Sequence, residues 1–158
     1  MSKAQVIDEH AVIHSTFTIE KTYPHPPARV FFGLTDKEMK RRWLIEGEGF
    51  EIYEYESDFR LGGADASRFS FRGGPELTND TQFQDIIPSR RLVFTYRMTI
   101  GGKPLSVSLV TAELLPSGKG TALTYTEQGV YFGGAEDVAG REHGSRVLLD
   151  KLGEALGE

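Results

Sequence analysis

The sequence predicts an α+β domain in which a curved antiparallel sheet of about six or seven strands surrounds one long C-terminal helix, with two short helices after the first strand. Three observations predict it. Glycines fall in pairs, at Gly62-Gly63, Gly73-Gly74, Gly101-Gly102, Gly118 with Gly120, and Gly133-Gly134. The stretches between them are rich in Phe, Tyr, Thr, Val and Ile, as hairpins are when their turns visit positive φ. Within those stretches apolar residues alternate with polar ones, most clearly along Leu92, Phe94, Tyr96, Met98 and Ile100, with Thr95, Arg97 and Thr99 between them. From Ala135 onward the apolar spacing becomes helical instead.

The first strand is predicted over Ser15 to Tyr23, with Phe17, Ile19 and Lys21 on one face, and it ends at Pro24. Pro26-Pro27 suits the first turn of a helix over Ala28 to Leu34, because proline's fixed φ and missing N–H cost nothing there. Thr35 or Asp36 can cap a second short helix that carries Glu38 in its first turn and Lys40, Arg41 and Arg42 nearer its end, and Trp43 closes it. The cluster from Asp36 to Arg42 reads as a solvated helix face. Strands follow over Gly49 to Glu56, Ala64 to Phe71, Thr81 to Ile87, Arg91 to Ile100, Leu105 to Leu115 and Thr121 to Tyr131. Phe69 and Phe71 share one face, as do Leu123, Tyr125 and Glu127.

The last helix, Ala135 to Leu156, would run ~33 Å at ~1.5 Å per residue, about the length of a ten-residue strand at ~3.3 Å per residue. On a helical wheel Val138, Ser145, Leu149, Leu152 and Leu156 form one stripe, with Leu148, Ala155, Arg141 and Glu142 at its edges. Leucine fills only the C-terminal half of that stripe, so Leu148, Leu149, Leu152 and Leu156 are expected to anchor the sheet. Val138, Arg141, Glu142 and Ser145 are expected to face a cavity.

The length of 158 residues, with no compositional break, reads as one domain over residues 15–158, after an N-terminal segment of residues 1–14 expected to fray. The chain has no cysteine, which excludes disulfides, thiolate metal sites and cysteine nucleophiles and fits a reducing compartment. The N-terminus carries Asp8, Glu9 and two histidines where a leader would need basic and then apolar residues, and no stretch is long and apolar enough to span a membrane. The cytoplasm is the expected location. Eighteen basic against 23 acidic residues give a net charge of -5, the wrong sign for a chain that tracks phosphates, so no nucleic-acid partner is expected.

Five strings, in order, carry a resemblance: PPARVFFGLTDKEMKRRWL, DFRLGG, DIIPSRRLVFTY, GKGTALTYTEQG and GREHGSRVLLDKLGEAL. Together they resemble the START-related helix-grip superfamily, also called SRPBCC, and within it the family named for the activator of the heat-shock protein 90 ATPase, over Ser15 to Leu156. The resemblance implies a cavity between sheet and long helix, open at one end and lined mostly by apolar side chains. It does not imply a reaction, because fold does not fix function. Related sequences usually place Trp after the glycine matching Gly144, where this chain has Ser145, and the loss of an indole there would enlarge the cavity or leave a gap filled from the sheet. The co-chaperone of the family carries an additional N-terminal domain, which is not expected in a chain of this length.

Candidate ligand-binding residues are Trp43, Phe69, Phe71, Phe94, Tyr96, Tyr125, Glu127, Arg141, Glu142 and Ser145. Trp43 offers a rigid aromatic face and an N–H donor at the cavity mouth that the resemblance implies; the competing reading is a plug between the short helices and the sheet. The aromatic set Phe69, Phe71, Phe94, Tyr96 and Tyr125, with Met98, would line one concave face, or else form a solid core. A buried phenol needs a partner and can orient a polar ligand atom. Glu127 would carry a carboxylate inward, and Arg141 and Glu142 lie at the edges of the helix stripe beside Ser145, so an Arg–Glu pair across the cavity is possible; the competing reading is a solvated strand end and first helical turn.

No metal or other cofactor is expected. His10, His14, His25 and His143 lack the spacing and carboxylates of a metal site, and there is no phosphate loop and no Gly-x-Ser-x-Gly elbow. Asn79-Asp80-Thr81 matches a glycosylation pattern but reads as a turn. The leading functional expectation is a non-catalytic domain, monomeric or homodimeric, that binds a small apolar or aromatic molecule. Two alternatives stand beside it. One is a chaperone-modulating or stress-response protein, with a chaperone as partner. The other is a cyclase, hydrolase or dehydratase acting on a cyclic hydrophobic substrate with Glu127 as base.

Overall fold

The computed structural model describes residues 10–157. Ten elements follow in order: β1 (Ile13–Tyr23), α1 (Pro27–Thr35), α2 (Lys37–Leu44), β2 (Phe50–Ser57), β3 (Ala64–Phe71), β4 (Leu77–Ile87), β5 (Arg91–Ile100), β6 (Lys103–Ser117), β7 (Gly120–Tyr131) and α3 (Ala135–Ala155). The fold begins at Ile13 rather than Ser15; residues 1–9 of the expected N-terminal segment lie outside the described residues.

The seven strands form one antiparallel sheet in the order β1-β7-β6-β5-β4-β3-β2, so the first strand closes against the last by a long-range pairing and the rest is a meander. Gly101 and Gly102 form the two-residue turn between β5 and β6 with φ of 56° and 81°, a conformation that strongly favours glycine at both positions. Register breaks at Ile52/Glu54, Phe83/Asp85 and Met98/Thr99 insert bulges that bend the sheet into a concave surface.

Thr99 keeps the outward face that alternation gives it, yet is buried, its hydroxyl hydrogen-bonded to that of its cross-strand partner Thr78. Phe71, expected to share the inner face with Phe69, is 41% exposed, whereas Ser70 is buried and hydrogen-bonded to Tyr53. At this end of the sheet the Phe50 ring meets both Phe71 and Phe69, centroids 4.9 and 6.1 Å away, and Lys151 of α3 lies over it, so Phe71 keeps the face of Phe69 but sits beyond the cavity.

The short helices form as their ends dictate. α1 starts on Pro26-Pro27, and Asp36 caps α2 by accepting a hydrogen bond from the Met39 amide at 3.1 Å. α3 approaches α2, β1 and α1 most closely. Its C-terminal half supplies Leu149, Leu152 and Leu156 to a core shared with Ile19, Leu114 and Leu123 of the sheet and Val30 and Leu34 of α1. A Cβ on Gly33 would come within 2.8 Å of Leu152 and 2.9 Å of Leu156, so glycine is what lets α1 seat against α3. The Tyr23 hydroxyl donates to the Leu149 carbonyl at 2.8 Å and fixes α3 along β1.

Leu152 is fully buried in this core, whereas Leu61 is 64% exposed. Leu152→Ala is expected to lower folding stability by about 2–5 kcal/mol, and Leu61→Ala by under about 0.5 kcal/mol. Urea denaturation of the two variants checks this; comparable losses would refute the placement of the core.

Candidate functional site

The two halves of α3 act differently because their side chains differ in size. From Leu148 onward leucines fill the space beneath the helix. Before it, Gly140, Gly144 and Ser145 present little, and a Cβ added to either glycine would meet nothing within 4 Å. Between this half of α3 and the concave face lies a cavity of about 430 Å³, within the range of small-molecule sites. Phe94, Tyr96 and Met98 of β5 line it from the sheet, Trp43 and Leu44 from α2, and Arg141, Ser145 and Leu148 from α3.

A polar network stands at the α3 side of this cavity. Glu127 of β7 is fully buried, and its Oε2 accepts hydrogen bonds from the Tyr96 hydroxyl at 2.7 Å and the Ser108 hydroxyl at 2.8 Å, with the Tyr131 hydroxyl at 3.5 Å. Arg141 reaches down from the helix: Nη1 donates to the Tyr96 oxygen at 2.9 Å and lies 3.4 Å from Glu127 Oε2, and Nη2 donates to the Ser106 hydroxyl at 2.7 Å. The guanidinium lies over the rings of both Tyr96 and Tyr131, 5.4 Å from each centroid. Tyr96 gives its proton to Glu127 and takes one from Arg141, so its orientation is set from both sides. A guanidinium has five N–H donors, and those not used on Tyr96, Glu127 and Ser106 can serve an acceptor in the cavity. Burial, followed by the charge of Glu127, pushes the Tyr96 phenol well above its ordinary pKa, against the opposing pull of Arg141. Tyr125 and Tyr131 are raised too, again chiefly by burial.

A second polar group sits at the α2 side. Lys40 is 5% exposed, its ammonium contacts the Asp65 carboxylate, and it lies 4.9 Å from the centroid of the Phe83 ring. Asp65 also accepts from the Ser57 hydroxyl at 2.6 Å. Between the two polar groups runs a series of ring contacts, Phe83 to Phe94 at 6.5 Å and Phe94 to Tyr96 at 6.2 Å.

Of the residues singled out in the sequence, Trp43, Phe69, Phe94, Tyr96, Tyr125, Arg141 and Ser145 line the cavity together. Phe71 does not, for the reason given above. Glu142 turns outward and pairs with Arg146 at 3.0 Å, because it lies one residue round the helix from Arg141 and beyond the reach of the sheet. Glu127 faces inward but lies behind Tyr96 rather than on the cavity wall. Trp43 combines both of its readings: the ring lines the cavity while its N–H is spent on the Gly33 carbonyl at 2.8 Å, tying α2 to α1.

Sequence reasoning missed Lys40, Asp65, Ser106 and Ser108. Lys40 is not part of a solvated face; it shares a helical stripe with Trp43 and Leu44, three and four residues on. Ser106 and Ser108 stand in period two with Val110, Ala112 and Leu114, all buried, and that alternation was the available signal. Among the described residues no group of three or more His, Asp or Glu is placed to hold a metal ion, and no helix is long and apolar enough to cross a membrane.

The family model for Activator of Hsp90 ATPase homolog 1-like proteins matches residues 24–157. The chain belongs to that family. A solved protein of Rhizobium loti is 56% identical to this family member, covering 92% of this chain and 99% of its own, with a TM-score of 0.85. One from Rhizobium leguminosarum is 32% identical over 92% of this chain and 96% of its own, at 0.87. A Chromobacterium violaceum protein, 23% identical over 90% and 97% of the two chains at 0.75, shares the fold. No curated protein matches. The seven-stranded sheet and C-terminal helix are those of the helix-grip fold.

The raised phenol of Tyr96 makes stability depend on alkaline pH. A group whose pKa is higher folded than unfolded stabilises the fold below the unfolded value, about 10 for tyrosine, and that contribution is lost as pH rises beyond it. Above about pH 10 the wild type is expected to lose stability more steeply than Tyr96→Phe, which keeps Tyr125 and Tyr131. Denaturation midpoints measured on both sides of that pH test it; parallel slopes would count against a buried phenol at this position.

Proposed function

We propose that this chain binds a small, largely apolar or aromatic molecule in the cavity between the sheet and α3, with Arg141 as its polar anchor. The observation that carries this reading is the Arg141–Tyr96 pair: two hydrogen-bonding groups on an otherwise mostly apolar wall, held from behind by a fully buried carboxylate. Sites of this kind join a hydrophobic lining to a few fixed polar groups that orient the ligand. Burial of the apolar part supplies affinity and Arg141 selects a ligand bearing an acceptor.

Two features weigh against the alternatives. An enzyme using Glu127 as base would need that carboxylate within reach of a ligand, and it lies behind Tyr96. A chaperone-docking face would be expected to show a broad apolar patch. Val107 and Leu109, exposed on the outer face of β6, stand opposite Arg97 and Thr95 of β5 and Val130 and Gln128 of β7, so polar residues interrupt the apolar run.

Amide NMR titration with 2-methylnaphthalene, indole and 1-decanol tests the proposal, after native mass spectrometry for any co-purifying molecule. Saturable shifts are expected along β5 and residues 140–149. Gly144→Phe places a ring in the open space above Gly144 and is expected to weaken binding at least about tenfold, a change of about 1.4 kcal/mol, with the fold retained. If none of the three probes gives saturable shifts at those residues, the reading fails.

A further inference from the structure

Lys40 is placed unlike an ordinary helical lysine. α2 turns it inward with Trp43 and Leu44, so its stem is buried and its amine sits over the Phe83 and Phe59 rings, 4.9 and 6.0 Å from their centroids. Asp65 contacts the amine and forms an ion pair with it. Both Lys40 and Asp65 line the cavity. An ammonium has three N–H donors, and the contact with Asp65 leaves others for a ligand atom. Burial also lowers the Lys40 pKa, against the opposing charges of Asp65 and Asp36, which favours the nucleophilic neutral amine.

The chemistry of the partner follows from the charge already present. Asp65 balances Lys40, so a carboxylate ligand would bring a second negative charge beside Asp65 in a poorly hydrated place. A neutral carbonyl brings none. We propose that Lys40 captures the aldehyde or ketone group of an apolar ligand as an imine, with Asp65 handling the proton; this rests on the reading that the cavity takes an apolar ligand.

The ammonium first gives a proton to Asp65. The Nζ lone pair then attacks the carbonyl carbon, and the C=O π pair moves to oxygen. Oxygen takes up the proton held by Asp65, and nitrogen returns one of its own to Asp65, forming a neutral carbinolamine. Asp65 then protonates the hydroxyl, which departs as water and leaves a protonated C=N bond beside the carboxylate. The balance is one amine and one carbonyl giving one imine and one water, with no oxidation or reduction.

The test uses the full chain with 2-naphthaldehyde and sodium cyanoborohydride, which reduces an imine to a stable secondary amine, followed by peptide mass mapping. Lys40 is expected to be labelled at least roughly ten times faster than Lys103 and Lys119, which are exposed, because more of a buried amine is in the neutral, nucleophilic form. Lys40→Arg keeps the charge but cannot form the imine and is expected to lose the fast adduct; the rate ratio within the wild-type chain decides the matter even if that variant folds poorly. 2-Methylnaphthalene has the same apolar body and no carbonyl. If it binds at β5 and residues 140–149 while Lys40 reacts no faster than the exposed lysines, imine capture is overturned and ligand binding stands. If neither compound engages the cavity, both fall.

Discussion

The tie between Arg141 on α3 and Glu127 on β7 is the interaction on which the arrangement of the cavity depends. Each charge loses several kcal/mol of hydration on burial, and their attraction recovers it only when the remaining hydrogen-bonding capacity is also met. Tyr96, Ser106, Ser108 and Tyr131 contribute to that. The last requires a further concession from the backbone: a Cβ on Gly129 would stand 2.8 Å from the Tyr131 ring and 3.0 Å from the Ser108 hydroxyl, so glycine there is what lets both groups crowd around the carboxylate. Residues from three strands and one helix are therefore coupled. Removing either charge would strand the other in a dry place, a change far costlier than the loss of one surface ion pair.

This tie acts where packing cannot. The C-terminal half of α3 is held by leucines and by the Tyr23 hydrogen bond; the N-terminal half has glycines and a serine where leucines would otherwise reach the sheet. Arg141 spans that gap with a long side chain whose head is anchored and whose stem leaves room beside it. The result is a helix fixed at both ends of a cavity by different physics, apolar contact at one and a charge network at the other. The aromatic series Phe83, Phe94 and Tyr96 connects the Arg141 end to the Lys40 end, so a ligand lying along it would have ring faces beneath it and a cation at either extreme.

The fold was largely legible in the sequence, because period-two alternation, glycine turns and the leucine stripe of α3 all report the same concave face. Where the reading failed, it failed for local reasons. Phe71 lies on the expected face but past the end of the cavity, against Phe50. Lys40 looked like one member of a charged run, since composition cannot distinguish a lysine whose stem is buried from its exposed neighbours Lys37 and Arg42. The position of Glu127 was half legible: alternation placed it inward, but only the three-dimensional partners put it behind Tyr96. The site itself is made of residues far apart in the chain, and no spacing rule links Ser106 to Arg141.

The small residues of α3 bear most directly on function. Glycine in a helix interior is destabilising by about 1 kcal/mol relative to alanine, and neither Gly140 nor Gly144 is held small by a neighbour, since a Cβ at either would meet nothing within 4 Å. Gly33 differs, because there the leucines of α3 would be struck. Stability that alanine could restore is thus forgone at two positions one turn apart, both on the wall of the same cavity. A helix selected only to close the sheet would have no use for them. Their placement fits a helix whose N-terminal half keeps a space open against the aromatic row, and it ties the departures from good helical sequence to the one region where the fold carries convergent polar groups.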